Sequence, residues 1–151
     1  MRSVSKVTAC VLVVCACGGS TGLATDVDVV ISSNRASVSL TAPVQIVVTV
    51  TNRSNAPTEI ITSGCVPTFE VVDANGIAVG PWSGPCAPVA PPPELLDPHA
   101  SRNFVSSWNA TAAGPAVSPQ SLAPGTYRVR AKMAIAGSVR YSAPIVIEVR
   151  P

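Results

Sequence analysis

From Asp26 to the last residue, apolar and polar positions alternate with a period of two, the repeat of a strand with one face in a core. Val27, Val29 and Ile31 share one face of VDVVIS, and Val44, Ile46, Val48 and Val50 share one face of the run 44–51. Between these runs Val38 and Leu40 alternate with Ser37, Ser39 and Thr41 after a turn at Asn34-Arg35. A polar turn, Thr51 to Asn55, precedes a short β-branched run from Thr58 to Thr62. FEVVDANGIAV, 69–79, sets Asn75-Gly76 between two apolar runs, a strong local hairpin signal. Strands are also predicted at Asn103 to Trp108 and at Ile145 to Arg150. In LAPGTYRVRAKM, 122–133, Pro124-Gly125 makes the turn. Tyr127, Val129, Ala131 and Met133 then face a core, while Arg128, Arg130 and Lys132 face water.

Composition narrows the fold. Apolar residues are 47% of the chain but aromatics only 4%, so the core is aliphatic, and 15 prolines with 10 glycines oppose long helices. The 151 residues suit one domain, and no long-period repeat is present. Seven to nine short strands with turns between them predict an all-β, immunoglobulin-like antiparallel β-sandwich over residues 26–151.

The first 25 residues have a different character. Arg2 and Lys6 precede an apolar run, Val7 to Val14, too short to span a bilayer, the arrangement of a signal peptide. The following Val-Cys-Ala-Cys-Gly resembles a bacterial lipoprotein box, which would make 1–16 the signal and Cys17 the acylated N-terminus. Cys15, two residues before it, is small enough for a position usually held by Ala, Ser or Leu. Residues 17–25 then read as a flexible tether. This reading expects an extracytoplasmic protein anchored to the bacterial envelope by the Cys17 lipid, or secreted without it.

Processing simplifies the cysteines and the charge. Of five cysteines, Cys10 and Cys15 leave with the signal and Cys17 carries lipid, so Cys65 and Cys86 remain. In an oxidising compartment the pair is expected to form a disulfide. Closing a loop of about 20 residues contributes roughly 3 kcal/mol in the chain-entropy picture. Two separate buried thiols are the alternative, and no CxxC or HxxxH spacing points to a metal. Ten basic and eight acidic residues become eight of each without Arg2 and Lys6, so the mature domain is neutral. With basic residues scattered along it, such a domain is not expected to bind nucleic acid.

The segment from Gly80 to Ala100 is crowded with prolines, including Pro91, Pro92 and Pro93. Proline cannot donate to a ladder, so an exposed, partly polyproline-II loop is predicted, tied by Cys86. Its residues Ala87, Pro88, Pro91, Pro92, Pro93, Glu94, Leu95 and Leu96 are the candidate binding loop.

Five features occur in one order: VTVTNRSNAP (48–57), SGCVPTFEVVDANG (63–76), Pro81-Trp82-Ser83, FVSSWNA (104–110) and PGTYRVRAKM. In that order they resemble the BsuPI family, named for an intracellular proteinase inhibitor of bacilli. The resemblance covers about 100 residues, from Val44 to Ile147. It implies an immunoglobulin-like fold and, for the founding member, inhibition of a serine protease. The export signal, the Cys65 and Cys86 pair and the longer proline-rich insertion are departures from it.

Single residues take structural roles in this reading. Trp82 and Trp108 are expected to plug the core in preference to anchoring a partner. Tyr127 resembles a tyrosine corner. Asp73 belongs to a turn, since no further carboxylates follow at calcium-ligand spacing. His99, the single histidine, has no nucleophile motif beside it, and no GxSxG or phosphate-binding glycine loop occurs. A non-catalytic domain without cofactor is therefore expected. It would act in protein binding or envelope scaffolding or, alternatively, as a proteinase inhibitor presenting the constrained loop to a serine protease.

Overall fold

The structure, a computed structural model, describes residues 26–61, 68–81, 92–112 and 119–151. Among these residues every regular element is a strand. β1 (Val27–Ser33), β3 (Val44–Asn52) and β8 (Ser101–Trp108) form a three-stranded sheet with β3 at its centre.

The second sheet is built on β9 (Gly125–Ile135). Along one side of β9 run β11 (Ile145–Val149), beside residues 125–129, and β10 (Ser138–Tyr141), beside 132–135. Along its other side run β5 (Phe69–Val72), beside 128–131, and β4 (Thr58–Ile61), beside 134–135. Outside these lie β6 (Ala78–Gly80), paired with β5, and β7 (Glu94–Leu96), paired with β4. β2 (Ser37–Val38) completes the opposite edge against β11.

The eleven strands thus exceed the expected seven to nine because single runs are interrupted. β10 and β11 are two halves of one run. At the break Ser142 donates its N–H to the Ala131 carbonyl, 3.3 Å, while its hydroxyl accepts the Ala131 N–H, 2.9 Å. Pro144, with no N–H, prevents the ladder from continuing unbroken through this point.

Pairing is antiparallel throughout except between β2 and β11, which are parallel. The chain does not reverse at Asn34-Arg35, as the turn there predicts. Asn34 instead exchanges hydrogen bonds with Gln45, and the strand passes from the first sheet to the second while keeping its direction. Val38 is buried as expected, but Leu40 is exposed, because a Ser39 N–H to Ala42 carbonyl bond closes a turn before the alternation reaches it.

The two sheets meet through one apolar cluster. Val44, Ile46, Val48 and Val50 of β3 join Val129, Ala131, Met133 and Ile135 of β9, with Ile60, Val71 and Ile147 beside them. Their aliphatic side chains supply most of the folding drive through burial, roughly 1.5–3 kcal/mol for each large side chain. Trp108 is buried in this cluster, edge-on to Phe69 with ring centroids 6.3 Å apart. Its indole N–H donates to the Thr111 carbonyl, 3.3 Å, so its polar atom is satisfied inside the core.

The turn chemistry follows the residues. Asp73 accepts the N–H groups of Asn75 and Ile77 on one carboxylate oxygen, and Gly76 takes φ +84°, where a side chain would be strained. The Tyr127 hydroxyl donates to the Ala123 carbonyl, 2.9 Å, the corner expected at this strand start.

Candidate functional site

The sequence-predicted loop lies only partly in view. Ala87, Pro88 and Pro91 are outside the described residues, as are Cys17, Cys65, Cys86 and Trp82. Pro92 and Pro93 are exposed and in no strand, as a proline-rich loop requires. The loop is shorter than predicted, however, because Glu94, Leu95 and Leu96 form β7. No proline falls between Pro93 and Pro98, so these three residues keep their donors and pair with Thr58 to Ile60. Leu96 is buried beneath the sheet edge and Leu95 is 67% exposed. Glu94 forms an ion pair with Arg102, 3.6 Å.

A second set of groups converges on the outer face of the larger sheet. Alternation along β9 places Arg128, Arg130 and Lys132 on that face; Arg128 is open to water as predicted, whereas Arg130 and Lys132 are half-buried. Cross-strand register decides what each meets. Glu70 of β5 stands opposite Arg130, accepts its Nε–H at 2.6 Å and lies 3.7 Å from Lys132 Nζ. The Arg130 guanidinium also stacks over Tyr141 of β10, 4.3 Å from the ring centroid. One largely buried carboxylate therefore serves two cations.

Arg128 has no such partner. It stands between Val72 on β5 and Val146 on β11. It takes part in none of the ion pairs among the described residues. A shallow open pocket lies here, lined by Val72, Gly76, Arg128, Arg130, Ser142 and Pro144. Val146, 62% exposed, and Tyr141, 47% exposed, flank it with apolar surface. The arrangement offers a planar cation with free donors in an apolar rim, which suits recognition of a negative group. Alternate basic residues on one strand were the signal for this site in the sequence; the absence of an acidic partner for only one of them was not readable there.

His99, at φ +59°, shares a 3.0 Å hydrogen bond with Asn55 Oδ1 at an exposed turn. Among the described residues no group of three or more His, Cys, Asp or Glu is placed to hold a metal ion, and no helix is long and apolar enough to cross a membrane.

No protein-family model and no curated protein matches the chain. Among solved structures it is similar to the alkylpurine DNA glycosylase AlkC of Pseudomonas fluorescens, bound to DNA containing an abasic site analog, with a TM-score of 0.50 and 12% identity. The match covers 84% of this chain and 31% of that one. A β-glucosidase of Listeria innocua in complex with glucose matches at TM-score 0.43 and 12% identity, over 83% of this chain and 16% of that one. The chain thus spans under a third of the glycosylase and under a fifth of the glucosidase, and at this identity the likeness to the glycosylase is one of fold alone.

Proposed function

We propose that the chain is a non-catalytic binding domain of immunoglobulin-like type, held by the Cys17 lipid outside the cytoplasm, where it engages a protein partner or scaffolds the envelope. The observation that carries this reading is the outer face of the larger sheet. There the exposed Arg128, which takes part in none of the ion pairs among the described residues, shares the face with exposed Tyr141 and Val146, a mixed polar and apolar surface of the kind a protein partner covers. The strand order supports the immunoglobulin-like assignment: a three-stranded sheet faces one in which the last run pairs with β9 on one side and the β4–β5 run pairs on the other. The BsuPI resemblance points the same way.

A photoreactive residue at Val146, compared with one at Val30 on the opposite sheet, tests the reading in cells producing the full chain. A discrete adduct from Val146 that also forms with the purified partner supports it. Indiscriminate or absent adducts from both faces would overturn it.

One observation favours the inhibitor alternative. Leu95 projects from an extended three-residue edge strand whose neighbour Leu96 is buried and whose carbonyl is tied to Asn52, so this end of the loop is preorganised. Stoichiometric inhibition of subtilisin-type proteases, abolished by Leu95→Gly, would establish that alternative. No inhibition by intact protein would remove it.

A further inference from the structure

We infer that Asn75 is a site of spontaneous covalent modification, the loss of its side-chain amide through a cyclic imide with Gly76, and that the closed turn built on Asp73 is the gate that restrains it.

Asn75 is the one asparagine of six in the chain that precedes a glycine. Ring closure brings the Gly76 nitrogen onto Asn75 Cγ, an approach that a side chain on the following residue obstructs. Around the place where a Gly76 Cβ would stand, no atom beyond its chain neighbours lies within 4 Å. Both residues are exposed, so water reaches the imide. The reaction consumes water, releases ammonia and changes no oxidation state. The Gly76 nitrogen bonds to Asn75 Cγ, and its proton departs with the side-chain nitrogen as ammonia. Water then opens the imide at one of its two carbonyls. Opening at Cγ yields aspartate; opening at the backbone carbonyl yields isoaspartate, whose main chain runs through Cβ and Cγ. Either product carries a new carboxylate.

The turn opposes the first of these bonds. The Gly76 N–H donates to the Asp73 carbonyl, 3.1 Å, so the attacking nitrogen must leave a hydrogen bond before it loses its proton. One Asp73 carboxylate oxygen accepts the N–H groups of Asn75 and Ile77, 2.9 and 2.8 Å, and the other lies 3.4 Å from Asn75 Nδ2. These contacts fix both reacting groups, and the carboxylate charge disfavours the anionic nitrogen that makes the attack.

Opening of the gate is a local event. β6 has three residues, its Ala78 is exposed, and among the described residues it pairs with β5 alone, so the hairpin tip separates without disturbing β5 against β9. The isoaspartate product does not close again. Its longer backbone displaces Ile77 from Asp73, whose N–H donates to the Ile77 carbonyl at 3.0 Å in the closed turn.

The test incubates the purified full chain at mildly alkaline pH beside the free peptide acetyl-Val-Asp-Ala-Asn-Gly-Ile-Ala-amide, and quantifies asparagine, aspartate and isoaspartate at position 75 by peptide mass spectrometry. The peptide is expected to convert, and the folded chain to convert more slowly by a factor of about ten or more. Asp73→Ala should bring the chain towards the peptide's rate with Trp108 emission unchanged, whereas Asp73→Asn, which keeps the oxygen acceptor without the charge, should fall between parent and Asp73→Ala. If Asp73→Ala shifts Trp108 emission and so unfolds the domain, the parent and Asp73→Asn decide: both slower than the peptide supports the gate, and either one equal to it overturns it. A peptide that does not convert, a parent chain as fast as the peptide, a folded Asp73→Ala no faster than the parent, or earlier conversion at another asparagine would each overturn the inference.

Discussion

The side-chain amide of Asn52 donates to the Leu96 carbonyl at 3.0 Å, joining the central strand of the smaller sheet to the edge strand of the larger one. The same amide nitrogen also lies within hydrogen-bonding distance of the Ala56 and Asp97 carbonyls, 2.8 and 3.2 Å, and its oxygen accepts the Ser54 N–H at 3.0 Å. Asn52 is fully buried, so its truncation leaves carbonyls without donors in a site that water does not reach. Asn52→Ala is expected to destabilise the domain by about 2–4 kcal/mol, read as a lower midpoint in equilibrium urea unfolding. A change under about 0.5 kcal/mol would mean that the network contributes little.

Glu70 and Arg130 form the second long-range tie, sixty residues apart in sequence. With Glu70 largely buried and both cations about 40% exposed, Glu70→Gln leaves two half-buried positive charges without their counterion. A loss of about 1–2 kcal/mol is expected, below the cost of breaking a fully buried pair. Added salt should narrow the gap between variant and parent, because the freed cations are then screened.

Trp108 supplies the largest side chain of the core. Trp108→Ala should cost about 3–5 kcal/mol through the cavity it leaves beside Phe69, whereas Trp108→Phe should cost less because the edge contact is partly kept. Thermal unfolding of both variants separates a core role from a surface one, since an exposed tryptophan would be tolerated in either form.

Tyr127→Phe removes one hydroxyl bond to Ala123 and leaves the ring in place. The expected loss is about 0.5–1.5 kcal/mol, with the folded spectrum unchanged.

The segments bearing Cys65 and Cys86 connect β4 to β5 and β6 to β7, and those strand pairs are neighbours in the larger sheet. Both thiols lie outside the described residues, and their pairing is the expectation from the sequence. Intact mass before and after reduction should reveal one disulfide in protein recovered from an oxidising compartment. Reduction should lower stability by roughly 3 kcal/mol, and Cys65→Ser with Cys86→Ser should reproduce that loss. Free thiols in the oxidised protein would refute the pairing.

Much of the fold was legible residue by residue. The alternation in β3 and β9 identified their buried faces, because successive side chains of an extended chain point to opposite sides wherever the strand lies. Asp73 to Gly76 and Tyr127 were equally readable, since their bonds reach only a few residues along the chain. Glu94 to Leu96 was misread as loop because the density of prolines around it outweighed a run of three residues able to donate.

The sequence by itself determined the strand class, the core face of each long strand and the local turns, all consequences of peptide geometry over a few residues. Only the tertiary structure decided that β2 crosses to lie parallel to β11 and that β4 and β5 share one side of β9. It also decided that Glu70 stands opposite Arg130 while valines flank Arg128. Register between strands depends on contacts between distant segments, and a shift along the ladder would hand the same carboxylate to a different cation.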